Sequence, residues 1–275
     1  MKIINLFVVL FAAASLFVGC DGVSTRPDDM KEATLNPLTV KKYVAIGNSL
    51  TAGYQSNGLY QSAQVYAFPN LIAKQLTLVG APLGTFEMPW YSDPGTPDAT
   101  GKASRYEIIS LAGPVIGPKG LAAGSPTNSA LTRPYDNLGI PGAVLFDFLD
   151  TTAFAVKAGP PRSNPLFMLV LRQAALGKTI FHQAKALNPD LVTFWLGNND
   201  VLGFATSGGV SPSAPTSAGI FSVLYAQALD SLRNALPNTK IVVANIPDVR
   251  SIPFFNTIGP KVAPLIPQVV YLRYQ

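Results

Sequence analysis

Two apolar runs, each ending in a polar turn, constrain the fold of this chain more than any other feature. Tyr43-Val44-Ala45-Ile46 leads directly into Gly47-Asn48-Ser49-Leu50-Thr51-Ala52-Gly53. Leu191-Val192-Thr193-Phe194-Trp195-Leu196 leads in the same way into Gly197-Asn198-Asn199-Asp200. An apolar run without alternation suits a strand covered on both faces, as in the parallel sheet of an α/β domain. In such sheets the chemistry sits in the turns beyond the carboxyl ends of the strands. Ser49 and Asn199 are therefore the first candidates for function.

The rest of the chain from Lys41 onward alternates strand-like and helix-like patterns. Ala67–Leu76 reads as a helix with Phe68, Leu71, Ile72 and Leu76 on one side. Residues 80–135 are irregular and rich in Gly, Pro, Ser and Thr, with a short strand expected at Glu107–Leu111. A stretch of this length without regular structure is uncommon inside a domain and is often functional. It reads as an insertion over the carboxyl edge of the sheet, either shaping a substrate pocket or decorating the surface. Helices are expected at Val144–Asp150, at Ala174–Leu187 and after Ser217, whose side chain suits a helix N-cap. Lys240–Asn245 reads as a further buried strand, ending in Ile246-Pro247-Asp248. Strands alternating with helices predict a parallel sheet with right-handed crossovers. Prolines at 260, 264 and 267 argue against long regular structure near the end of the sequence.

The first residues read as an export signal. Lys2 supplies a positive start, and Ile3 to Val18 is apolar and uncharged. That stretch is shorter than the ~20 residues a membrane-spanning helix needs, and its flanks fit a signal peptide. Residues 1–19 are assigned to the signal, 20–40 to a polar tether and 41–275 to the folded domain. Cys20 is the only cysteine of the 275 residues, so an exported fold must do without disulfides. One cysteine and one histidine also fall short of the three or four ligands of a zinc site. The formal charge of +5 is spread over scattered Lys and Arg, with no basic stripe interleaved with aromatics. No nucleic-acid partner and no basic adhesion face are expected.

Leu16-Phe17-Val18-Gly19-Cys20 resembles the lipobox of bacterial lipoproteins, which implies lipidation of Cys20, for example by palmitate, and a membrane anchor in the cell envelope. The domain resembles the SGNH/GDSL hydrolases, a family of esterases, lipases, thioesterases and carbohydrate deacetylases. Gly47-Asn48-Ser49-Leu50 is similar to the family's first block. Gly142 in Leu138-Gly139-Ile140-Pro141-Gly142-Ala143 matches the second, and Gly197-Asn198-Asn199-Asp200 matches the Gly-x-Asn-Asp third. The resemblance covers about residues 41–256. It implies a three-layer α/β/α sandwich with a flavodoxin-like parallel sheet, and Ser49 as a catalytic nucleophile. It also implies an oxyanion hole formed by the N–H groups of Ser49 and Gly142 with the Asn199 side chain. The expected partner is an ester substrate, a lipid or an acylated glycan; no cofactor and no metal are implied.

Two departures from the family pattern stand out. Asn48 replaces the usual Asp of the first block, which is not the triad acid. The Asp-x-x-His block, the family's source of acid and base, is missing, so the expectation is a domain incomplete at its C-terminus and impaired in catalysis. His182 does not fill the gap: on a helix begun at Leu176 it lies about 240° round from the apolar side. Asp200 is expected to brace its loop, and Asp248 to serve a strand-end turn. There is no phosphate-binding Gly-x-x-x-x-Gly-Lys-Ser/Thr loop and no Gly-x-Ser-x-Gly elbow. Two function classes follow: a serine ester hydrolase, or a catalytically silent surface lipoprotein that binds lipid or glycan in the same groove. A downstream Asp-x-x-His separates them.

Overall fold

The computed structural model describes residues 39–111, 115–158, 163–210, 214–252 and 255–256. The expected signal peptide, Cys20, all but the last two residues of the tether and the prolines at 260, 264 and 267 lie outside the described residues. In chain order the elements are β1 (Tyr43–Gly47), α1 (Ser49–Ala52), α2 (Gln61–Gln64), α3 (Phe68–Leu78), β2 (Tyr106–Ser110), β3 (Val115–Pro118) and β4 (Asn137–Gly139). Then follow α4 (Phe154–Ala158), α5 (Leu166–Leu171), α6 (Ile180–Leu187), β5 (Leu191–Trp195), α7 (Asn199–Thr206), α8 (Ala218–Ala235) and β6 (Lys240–Val243).

The main sheet has the order β4-β1-β5-β6, and every pair in it is parallel. The register aligns Gly47 with Gly139 on one side and Trp195 on the other. The two apolar runs that dominate the sequence are therefore neighbours at the centre of the sheet. All residues of β1 are buried. Val44, Ile46, Val192 and Phe194 turn to one face and pack with Ile180 and Ala184 of α6 and Ala228 and Leu232 of α8. Tyr43 and Trp195 belong to the opposite face, where Phe86 stacks on Tyr43 at 5.1 Å and Phe68 of α3 meets Trp195 at 5.6 Å. Helical layers thus flank a parallel sheet, the expected three-layer α/β/α arrangement. Each fully buried Val, Leu, Ile or Phe stabilises such a core by roughly 1.5–3 kcal/mol.

Several local expectations are corrected. The helix expected at Ala174–Leu187 is broken: a short 3-10 turn covers Ala174–Leu176, and α6 starts afresh at Ile180. Thr179 sets that start, its hydroxyl accepting from the His182 N–H at 3.0 Å. Val144–Asp150 contracts to a 3-10 turn at Leu145–Phe148. On α3 the buried residues are Pro69, Asn70 and Ala73, while Leu71 is exposed. The strand expected at Glu107–Leu111 is present as β2, but it pairs with β3 in an antiparallel hairpin of its own, with Ile108, Ile109 and Ile116 exposed. The expected buried strand at Lys240–Asn245 is β6 (Lys240–Val243), which lies at the edge of the sheet among the described residues, with Val242 54% and Val243 41% exposed. An apolar run alone does not tell a central strand from an edge one, because the number of neighbours a strand pairs with is set by the rest of the chain. The helix after Ser217 is present as α8, and Ser217 caps it by accepting from the Ile220 N–H.

Candidate active site

Parallel pairing brings the turns after β4, β1 and β5 to one edge of the sheet, side by side. Ser49, Gly142 and Asn199 each stand in one of them. The first turn is tight because two glycines permit it. A Cβ on Gly47 would stand 1.9 Å from the Thr51 hydroxyl and 2.7 Å from the Trp195 carbonyl oxygen. One on Gly139 would stand 2.5 Å from the Ala52 nitrogen. The single helical turn α1 can therefore sit directly on the strand ends, which raises Ser49 to the sheet edge. Asn48 caps α1, its side-chain oxygen accepting from the Leu50 N–H at 3.3 Å. The buried Asn137 amide donates to the Thr51 carbonyl at 2.7 Å and accepts from the Gly139 N–H at 2.8 Å, joining α1 to β4.

The second turn is Ile140-Pro141-Gly142-Ala143. The Ala143 N–H bonds back to the Ile140 carbonyl at 3.0 Å, and Gly142 has φ +81°. Proline at the second position and a positive-φ glycine at the third are the signature of a type II turn. Among the described residues, neither the Ser49 N–H nor the Gly142 N–H has a hydrogen-bond partner. Both are free donors at the sheet edge.

The third turn grips the second. The Asn199 side-chain amide donates to the Ala143 carbonyl at 2.8 Å, leaving its other N–H free. The Asp147 carboxylate accepts from the Val144 N–H at 2.9 Å, and the buried Asp200 carboxylate from the Leu145 N–H at 2.8 Å. Asp200 also accepts from the Thr216 hydroxyl at 2.8 Å. On the other flank Asn164 donates to the Pro141 carbonyl at 2.8 Å. Five consecutive residues, 141–145, thus carry four side-chain tethers. Asp200 braces its loop as its sequence context suggests. Behind this turn the buried Lys157 ammonium lies 3.2 Å from the Asp150 carboxylate and 4.0 Å from that of Asp147.

Asn48 does more than cap. Its amide donates to the Asn198 side-chain oxygen at 3.2 Å, linking the first turn to the third. A carboxylate at position 48 has no such N–H to give, so the pair Asn48–Asn198 suits the replacement of Asp by Asn. Of the remaining candidates, His182 is exposed on α6, its ring beside Phe181 at 5.7 Å. Asp248 caps a short 3-10 turn and pairs with Arg250 at 2.7 Å. The hydrogen bonds from Arg250 hold its carboxyl below the usual range. Among the described residues no group of three or more His, Cys, Asp or Glu could hold a metal ion.

The family model for GDSL-like lipases and acylhydrolases matches residues 43–272. The chain belongs to this family. No curated protein and no solved structure matches it. GDSL-family hydrolases act on ester bonds, and the match spans all three turns of this GDSL-family domain. Asn164, Asn198, Asp147 and Asn137 carry no sequence signal that singles them out. Their contacts join residues up to 150 positions apart, as Asn48 and Asn198 are, so only the folded chain brings them together.

Proposed function

We propose that this domain hydrolyses carboxylic esters through an acyl-enzyme at Ser49. The Ser49 oxygen attacks the ester carbonyl carbon while a general base takes the hydroxyl proton. Negative charge develops on the carbonyl oxygen, which the N–H groups of Ser49 and Gly142 and the free N–H of Asn199 receive. The tetrahedral intermediate collapses with loss of the alcohol, which takes the proton from the base. Water then attacks the acyl-enzyme and releases the acid and free Ser49. The observation that carries this reading is the tethered turn 141–145, which presents the unpartnered Gly142 N–H beside the Asn199 amide. The outward position of His182 argues against it as the base.

The lipobox-like segment supports export and a lipid anchor at Cys20, with an ester of a lipid or an acylated glycan as substrate. A second reading, a silent binding lipoprotein, draws on one observation: the sequence has a single histidine, and it faces solvent. The deciding experiment uses the full-length protein, with fluorophosphonate labelling and turnover of p-nitrophenyl acetate. Labelling and turnover that vanish in Ser49→Ala and persist in His182→Ala support the hydrolase. Turnover retained by Ser49→Ala removes Ser49 from the mechanism, and no labelling of the wild type favours the binding lipoprotein.

A further inference from the structure

β2 and β3 form a two-stranded ribbon of their own, apart from the main sheet. Its root is fastened to the domain. The Tyr106 N–H donates to the Ser56 carbonyl at 2.7 Å, and the Arg105 guanidinium lies 4.3 Å over the Tyr60 ring. Arg105 also pairs with Asp93 at 3.3 Å and with Glu107 at 3.5 Å, and Lys119 pairs with Glu107. Two cations and two carboxylates thus balance at the root. Beyond it, residues 108–117 include no Asp, Glu, Lys or Arg.

Both faces of the ribbon are apolar and exposed. Ile108 stands opposite Ile116 in the register, and the two side chains share one face. The register slips between Ile108 and Ser110, which makes Ile109 the extra residue of a bulge. A Cβ on Gly117 would lie 3.3 Å from the Ile109 Cδ1. Gly117 and Val115 alternate with Ile116, so Ile109 and Val115 hold the other face. All four apolar side chains are more than half exposed, and Leu111 is 86% exposed. Clustered apolar exposure of this kind marks an interaction surface. A flat protein partner on one face would leave the other in water, whereas a lipid boundary surrounds both. The uncharged residues 108–111 extend about 10 Å at ~3.3 Å per residue, close to the ~5–10 Å depth of elements lying in a membrane interface. The charged root begins where that stretch ends. The two open edges of the ribbon keep it out of the hydrocarbon core, where unpaired backbone groups find no partner.

We infer that the β2–β3 ribbon docks the domain on a phospholipid surface, with Ile108, Ile109, Leu111, Val115 and Ile116 buried at the boundary between headgroups and acyl chains. Because the charges of the root are paired with each other, the attachment is apolar and zwitterionic lipid suffices. The proposed anchor at Cys20 brings such a surface into range, since the residues from Cys20 to Thr39 span at most roughly 60–70 Å when fully extended. Docking requires neither that anchor nor Ser49 as nucleophile. The root of the ribbon is one loop away from Ser49: the Tyr54 N–H donates to the Ser49 carbonyl at 3.0 Å, and Ser56 in the same loop receives Tyr106.

The test is a fluorescence depth measurement on the full chain in a Cys20→Ala background, so that neither lipidation nor turnover enters. An environment-sensitive dye is attached at Ile116→Cys and, as a control, at Leu78→Cys, an exposed position on α3. Because the signal is local, binding through another part of the chain does not register at position 116. Phosphatidylcholine vesicles should shift the emission of the Ile116 probe to the blue, and lipids brominated on their acyl chains should quench it. The Leu78 probe should respond to neither. Ile108→Ser combined with Ile109→Ser, both at exposed positions, should abolish the shift with the melt unchanged. High salt should leave the shift intact, since screening weakens only charge attraction. No shift at position 116, an equal response at position 78, or a shift retained in the double serine variant overturns the docking surface. A shift that appears without vesicles and grows with protein concentration assigns the ribbon to a second copy of the chain. A shift that high salt removes assigns it to headgroup charge, and either of these results also overturns the inference.

Discussion

The side-chain amide of Asn199 donates to the main-chain carbonyl of Ala143 across 2.8 Å, tying the turn after β5 to the turn after β4. One N–H of the amide fixes the neighbouring turn, and the other stays free to meet a developing oxyanion. A single side chain can thus supply one donor and position a second, the Gly142 N–H. Removing it should cost more than one hydrogen bond's worth of rate. Asn199→Ala in the full-length protein is expected to lower kcat for p-nitrophenyl acetate by about 10²–10³-fold or more, with KM little changed. A fall below threefold with an intact melt would reduce Asn199 to a structural role.

Asp200 should act through the same turn without touching substrate. Its buried carboxylate holds the Leu145 N–H and the Thr216 hydroxyl. Asp200→Ala leaves both donors without their acceptor, and hydrogen bonds to a charged group are worth about 1.5–3 kcal/mol. Urea unfolding should show a loss of that order. Asp200→Asn should recover most of the stability, since an amide oxygen still accepts; equal losses in the two variants would argue against this role.

Gly47 is predicted to tolerate no side chain. A methyl group there meets the Thr51 side chain and the Trp195 carbonyl, and the carbonyl belongs to the central sheet and cannot swing aside. Overpacking of this kind costs roughly 1–3 kcal/mol. Gly47→Ala should therefore lower the melting temperature and displace Ser49, reducing fluorophosphonate labelling. An unchanged melt would show that α1 has room to shift.

Lys157 and Asp150 give a pH prediction. Burial by itself would raise the Asp150 pKa; the hydrogen bonds from the Thr152 N–H and hydroxyl and from Lys157 outweigh it and hold it below the usual value. A carboxyl with a depressed folded-state pKa contributes stability that is present above its unfolded pKa of about 3.9. That stability is lost as pH falls through the lower folded value. Lys157→Met removes the ammonium beside the two carboxylates, and breaking a buried pair costs about 3–5 kcal/mol. The variant should be less stable than wild type at neutral pH. The gap should narrow below about pH 4 as the carboxyls protonate; a constant gap across pH would rule out the ion pair as its cause.

Cys20 lies outside the described residues, and its lipidation rests on sequence alone. Metabolic labelling with a fatty-acid analogue should mark the wild type and spare Cys20→Ala. Equal label on both would remove the anchor.

The linear sequence determined the sheet and the three turns. Unbroken apolar runs at 43–46 and 191–196 admit little but buried parallel strands, and the turns that follow them carry their own chemistry in Ser49, Pro141-Gly142 and Asn199. These are local properties, written in neighbouring residues. Tertiary structure decided how the turns are held together and which strand lies at the edge. Asn164 and Asp147 tether residues 141–145 through contacts no motif encodes, and Asn48 meets Asn198 across 150 positions. Val242 and Val243 read as core in the sequence, yet β6 has β5 as its only strand neighbour in the described sheet. Hydrophobic pattern fixes which residues leave water; only the packing of distant segments fixes which of them meet.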